Sequence, residues 1–205
     1  FPPVQLDFGR EGPAIYTMED KKGQSGREIR PICPAPIGKG LTLEARDLAQ
    51  EALGLAESLR EPAPLVLAHS NAGANAYWRG ELGAARAHLE EALALYEPER
   101  HRTHESLQAG MDPAVFALGH LSMVLSRLGY LDQGRVRAQE GLQLARELSH
   151  PFSIATALFS VGRHHLILGE PQRALEQSEA LMALATEHGF PRWLSFGTFF
   201  HSWAL

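Results

Sequence analysis

The sequence predicts an all-α fold, a solenoid of antiparallel helix hairpins behind an irregular N-terminal arm. Three observations predict it. Glycines recur at Gly40, Gly80, Gly129 and Gly169, at intervals of 40, 49 and 40 residues. Each is followed by small or apolar residues at its fifth, ninth, twelfth and thirteenth positions: Ala45, Ala49, Ala52 and Leu53, then Ala85, Leu89, Ala92 and Leu93, then Gly134, Ala138, Gly141 and Leu142, then Ala174, Ser178, Leu181 and Met182. Between these points apolar residues return every three or four positions, the period of a helix face. A helical unit of about 40 residues cannot bury its apolar side alone, so it stacks on its neighbours.

Residues 1–40 stand apart from the array at 41–205. Pro2, Pro3, Pro13, Pro31, Pro34 and Pro36 alternate with six glycines there, a density that breaks helices. An arm with at most a short strand at Val4–Phe8 is expected. From Leu41 to Arg60, Ala45, Leu48, Ala49, Ala52, Leu55, Ala56 and Leu59 share one helix face. Glu61–Pro64 reads as a turn, Leu65–Arg79 as a helix, and Gly83–Tyr96 as the next. The polar stretch Glu97–Met111 accounts for the longer interval. Asp112–Pro113 is a strong start, because Asp caps free amides and Pro lacks the donor that the first helical position leaves unused. Helices follow at Pro113–Leu128, Leu131–Leu148, Pro151–Leu168, Pro171–His188 and Pro191–Leu205. The apolar run Phe199, Phe200, Trp203 and Leu205 has no following helix in the sequence, so the array is expected to be truncated there and to self-associate through Phe199, Phe200 and Trp203.

Composition narrows the function. A net charge of −5, with no basic run, argues against a nucleic-acid partner. No apolar stretch approaches the ~20 residues of a membrane span. Cys33 is the only cysteine, which excludes an internal disulfide and fits a reducing cytoplasm. His101 and His104 would share a helix face, but no carboxylate completes a ligand set at recognisable spacing, and no metal or other cofactor is expected. His164 and His165 read as packing or groove residues. Ser70, Ser122, Ser153 and Ser160 lie within helices and outside any nucleophile-elbow pattern, so catalysis is not expected of this segment.

The repeats resemble tetratricopeptide repeats. Gly73, Gly80, Ala85 and Ala92 match that family's small positions in one repeat, and Gly162, Gly169 and Ala174 match in another; Ser122, Gly134 and Gly141 match more loosely. The run Gly80–Tyr96 is similar to the C-terminal repeat region of large bacterial signalling proteins that join a class III nucleotide cyclase to a STAND-type ATPase. Met111–Val115, Leu128–Asp132, Glu147–Phe152 and Glu187–Trp193 are similar to it too. The resemblance implies a right-handed superhelix and a cytoplasmic interaction, scaffold or sensor module, with catalysis in domains outside this segment. The alternative implied is a regulatory segment that senses a small molecule. It also implies a concave groove for a protein, a peptide or neighbouring domains, lined by Tyr77, Trp78, Phe116, Met123, Arg127, Phe159 and Arg163. Ser70 and Ala74 stand at positions where a carboxylate-clamp subgroup uses Lys and Asn, so chaperone-tail binding is not expected. An apolar, aromatic groove with two arginines suits a helix or an extended segment.

Overall fold

The computed structural model describes residues 39–59, 62–98 and 111–205. The expected arm up to residue 38, Cys33, and the pair His101 and His104 lie outside the described residues. Eight helices and no strand occur within them: α1 Lys39–Leu59, α2 Pro62–Trp78, α3 Leu82–Ala94, α4 Pro113–Arg127, α5 Leu131–Leu148, α6 Pro151–Leu168, α7 Pro171–Glu187 and α8 Pro191–Ala204.

The local chemistry of the ends explains these bounds. Asp112 caps α4, its Oδ1 accepting from the N–H groups of Ala114 and Val115 at 2.9 and 3.0 Å. Its Oδ2 accepts from the Tyr96 hydroxyl at 2.9 Å, and its own N–H donates to Ser153 Oγ at 3.2 Å. Buried Asp112 therefore ties α4 to the chain after α3 through its carboxylate and to α6 through its main-chain N–H. Gly80, Gly129 and Gly169 have φ of 82°, 89° and 66°, the left-handed region open to glycine. In each case the next residue's N–H reaches back five residues to a helix carbonyl: Glu81 to Ala76, Tyr130 to Leu125, Glu170 to His165. That hydrogen bond is the physical content of the repeating glycine. Gly40 breaks the pattern, because it falls in the first turn of α1. The expected turn at Glu61–Pro64 is also shorter, with α2 starting at Pro62. Prolines in a first helical turn cost no hydrogen bond, so Pro62 and Pro64 open the helix instead of delaying it.

The helices pack in two layers. Each helix packs on its neighbours in order, and the even-numbered ones also pack on each other: α2 on α4, α4 on α6, α6 on α8. The odd-numbered helices make no comparable contacts among themselves. The core follows that arrangement. One apolar cluster joins α2, α3 and α4 through Tyr77, Leu89, Leu121 and Val124. A second runs from Val115 through Leu158 and Leu181 to Trp193. Ala85 and Ala92 are fully buried on α3, as close helix approach requires. Leu48, expected on the buried face of α1, is exposed, because α1 packs substantially on α2 alone.

Two glycines are seats for large residues. A Cβ on Gly73 would stand 2.5 Å from Leu89 Cγ, and one on Gly162 would stand 3.1 Å from the Phe200 ring. Phe200 is consequently 3% exposed and stacks on Phe159 at 5.4 Å. This corrects the expectation that Phe200 lies on an open end face. Phe199 and Trp203 do lie open, at 62% and 46%.

Candidate functional site

Register brings a group of side chains together near the C-terminal ends of the even helices. Tyr77 sits three residues before Gly80, Arg127 two before Gly129, and Arg163 six before Gly169. Because these helices pack side by side, the three side chains converge. Tyr77 is 1% exposed and forms the floor. Arg163 donates from Nη2 to the Tyr77 hydroxyl at 2.9 Å, reaching from α6 to α2. The Arg127 guanidinium lies 4.8 Å from the centre of the Tyr77 ring. Arg163 is also 5.9 Å from that ring and 6.0 Å from the ring of Trp78. Trp78 meets Tyr77 edge to face at 5.1 Å and is itself 38% exposed. A flank is formed by Phe116 and His120, whose rings are 4.1 Å apart. His120 Nδ1 is 3.0 Å from the Phe116 carbonyl oxygen and takes the proton that donates to it.

Electrostatics mark this cluster as unusual. Burial pushes the Arg163 guanidinium below its ordinary pKa; Tyr77 opposes the shift, and the charge of Arg127 adds to it. Burial pushes the His120 imidazole down to about 4, against the pull of the Phe116 carbonyl and with further help from Arg163. The imidazole is therefore neutral at pH 7. Neither Arg127 nor Arg163 is paired with a carboxylate among the described residues, whereas Arg79, Arg86, Arg135, Arg137 and Arg173 all are. The rings supply cation–π attraction, and the helix C-terminus beside Arg127 is itself electronegative. Among the described residues these terms, with the hydrogen bond from Arg163 to Tyr77, hold the two like charges together.

The structure thus unites Tyr77, Trp78, Phe116, Arg127 and Arg163. It separates two expected groove residues from them. Met123 is buried in the α2–α3–α4 core, because the even helices pack against each other and consume that position. Phe159 turns to α8, where it meets Phe196 at 4.7 Å and Trp193 at 5.6 Å. Ser70, Ala74, Ser126 and Thr156 on the same helices are buried between them for the same reason. His120 was not expected here; its place four residues after Phe116 was the available signal.

Other polar groups are committed elsewhere. His164 Nδ1 pairs with Ser126 Oγ at 3.0 Å, and His165 Nδ1 with Glu170 Oε2 at 2.6 Å. A shallow cleft of about 510 Å³ between α5, α6 and α7 is lined by Gln139, Gln143, Arg146, Glu147, His165 and Gln177. Among the described residues, no three His, Cys, Asp or Glu side chains stand together as a metal cage, and no helix is long and apolar enough to cross a membrane. No protein-family model and no curated protein matches the chain.

Proposed function

We propose that the chain is an interaction module, a scaffold or sensor segment of a bacterial signalling protein. In this reading the even-helix layer is the inner wall of a right-handed superhelix of tetratricopeptide-repeat type. Its occupant is an extended or helical protein segment that brings a carboxylate to Arg127 and Arg163 and an apolar side chain to Trp78. The observation that carries this reading is the pair of guanidinium groups at one buried tyrosine, neither paired with a carboxylate among the described residues. An incoming anion would relieve the repulsion and complete the desolvated charges, which is where binding energy concentrates.

The test uses peptides with a central Glu flanked by aromatic residues, and matched peptides with Gln in place of Glu. Binding at micromolar level is expected for the first set, weakened by salt and reduced about tenfold for the second. Trp78→Ala with Arg127→Ala should abolish it. Equal affinity for the Glu and Gln peptides would sink the anion reading. Stronger binding of a free aromatic carboxylate than of any peptide would instead favour a small-molecule sensor.

The open end of α8 is proposed to mediate self-association through Phe199 and Trp203 alone. Phe199→Ser with Trp203→Ser should convert an associating species to monomer in sedimentation at tens of micromolar. Monomer in the unaltered chain would refute it. Phe200 is unsuited as a probe, because its replacement opens the core.

A further inference from the structure

We propose that His69 and His88 chelate a divalent transition-metal ion of the zinc, nickel and copper(II) class between α2 and α3. The two Nδ1 atoms are 3.1 Å apart, with ring centres 5.3 Å apart and planes tilted by 44°. An ion about 2.0–2.1 Å from each nitrogen would subtend an angle of about 95–100°, which suits two adjacent positions of a tetrahedral or tetragonal complex. Without the ion, one ring donates its proton to the other, since two bare nitrogen lone pairs would repel at this distance. The ion takes the place of that proton, which passes through solvent to the bare Nε2 of the same ring, so both imidazoles bind as neutral ligands.

The surroundings favour the exchange. Burial lowers the proton affinity of both imidazoles, and His69 lowers that of His88 further, which disfavours a doubly protonated, charged ring at the pair. Charge reaches the pair from three helices or their ends. Glu57 on α1 and Glu91 on α3 act on His69, and Arg79, just past α2, acts on His88. The Arg79 charge is offset by Glu81 at 2.8 Å. Glu91 follows His88 by three residues and so shares its face of α3. Its exposed carboxylate adds negative charge beside the pair, and water fills the rest of the shell. Both rings are half-buried, which leaves a path for the ion. The two helices are held at fixed separation beside the pair, since Leu89 fills the seat at Gly73. His69 lies one helical turn from that seat and His88 adjoins it.

The experiment is titration of the whole chain, freed of metal by chelator, with Zn²⁺ in a calorimeter and with Cu²⁺ in electron paramagnetic resonance. One saturable site of micromolar affinity is expected, with hyperfine structure from two imidazole nitrogens. His69→Asn or His88→Asn should weaken binding by about tenfold or more, and Glu91→Gln by about threefold. His101→Asn with His104→Asn should leave it unchanged. As a second measurement, Zn²⁺ should raise the melting temperature of the parent chain and of Glu91→Gln, but not of His88→Asn. Affinity unchanged in both single histidine variants, loss that follows His101 and His104, or no saturation by about 1 mM Zn²⁺ would each overturn the assignment.

Discussion

Replacing Gly73 with Ala is expected to destabilise the chain by about 2 kcal/mol, although Ala is the better helix former. The new Cβ would lie 2.5 Å from Leu89 Cγ, 2.9 Å from Cδ2 and 3.1 Å from the Ala85 carbonyl oxygen. The first of these is a branch point and the last is backbone, so neither yields cheaply. Overpacking of this kind costs up to about 3 kcal/mol. Helix propensity returns about 1 kcal/mol of it. Leu89→Ala alone should cost about 2–5 kcal/mol, since Leu89 is fully buried. The double variant should lose less than the sum, because the methyl group at position 73 enters space that Leu89 vacates. Urea denaturation of the four proteins measures this coupling. Strictly additive losses would show that Gly73 and Leu89 do not share a seat.

Acid should destabilise the chain well above the range where carboxylates titrate. His120 has a folded pKa of about 4 against an ordinary value of 6.5. The unfolded chain therefore binds more protons between those two values. The stabilisation is fully present above pH 6.5 and is lost as pH falls towards 4. On the order of 2 kcal/mol should be gone by pH 5 from this residue alone. Burial shifts His69, His88, His150 and His164 in the same direction, so their contributions add. His120→Gln keeps a donor for the Phe116 carbonyl and removes the titration. Its stability should fall less steeply between pH 6.5 and 5, by about one proton's worth of slope. A slope identical to that of the parent would mean His120 is protonated in the folded state.

Much of this architecture was legible because proline and glycine punctuate it. The bounds Leu131–Leu148 and Pro151–Leu168 coincide with α5 and α6, since Gly129, Pro151 and Gly169 leave little freedom for where a helix stops. The repeat resemblance, carried onto the even helices, also implied a common side for Tyr77, Trp78, Phe116, Arg127 and Arg163. What one helix period cannot reveal is which residues on that side are consumed by the next helix. Met123 and Phe200 have the same spacing as their exposed neighbours, and both are buried by partners from other repeats. Leu48 shows the reverse, an apolar residue at a face position that finds no neighbour. His120 escaped notice although it follows Phe116 by four residues, because that spacing alone does not separate a site from ordinary helix packing. Its neutrality follows from burial and from Arg163, forty-three residues further along the chain.

The bond from Arg163 to Tyr77 joins residues eighty-six positions apart, and it crosses α4 to do so. The helices that carry it, α2 and α6, both pack on α4 and not substantially on each other. The array therefore has a stiff side, where even helices abut, and a compliant side, where odd helices meet only their neighbours in sequence. Bending about the stiff side changes the span from α2 to α6 more than any distance between adjacent helices. The Arg163–Tyr77 hydrogen bond spans that distance directly. Were an anion of the kind proposed above to draw the guanidinium away, that direct link would be lost, and α2 and α6 would be joined mainly through their packing on α4.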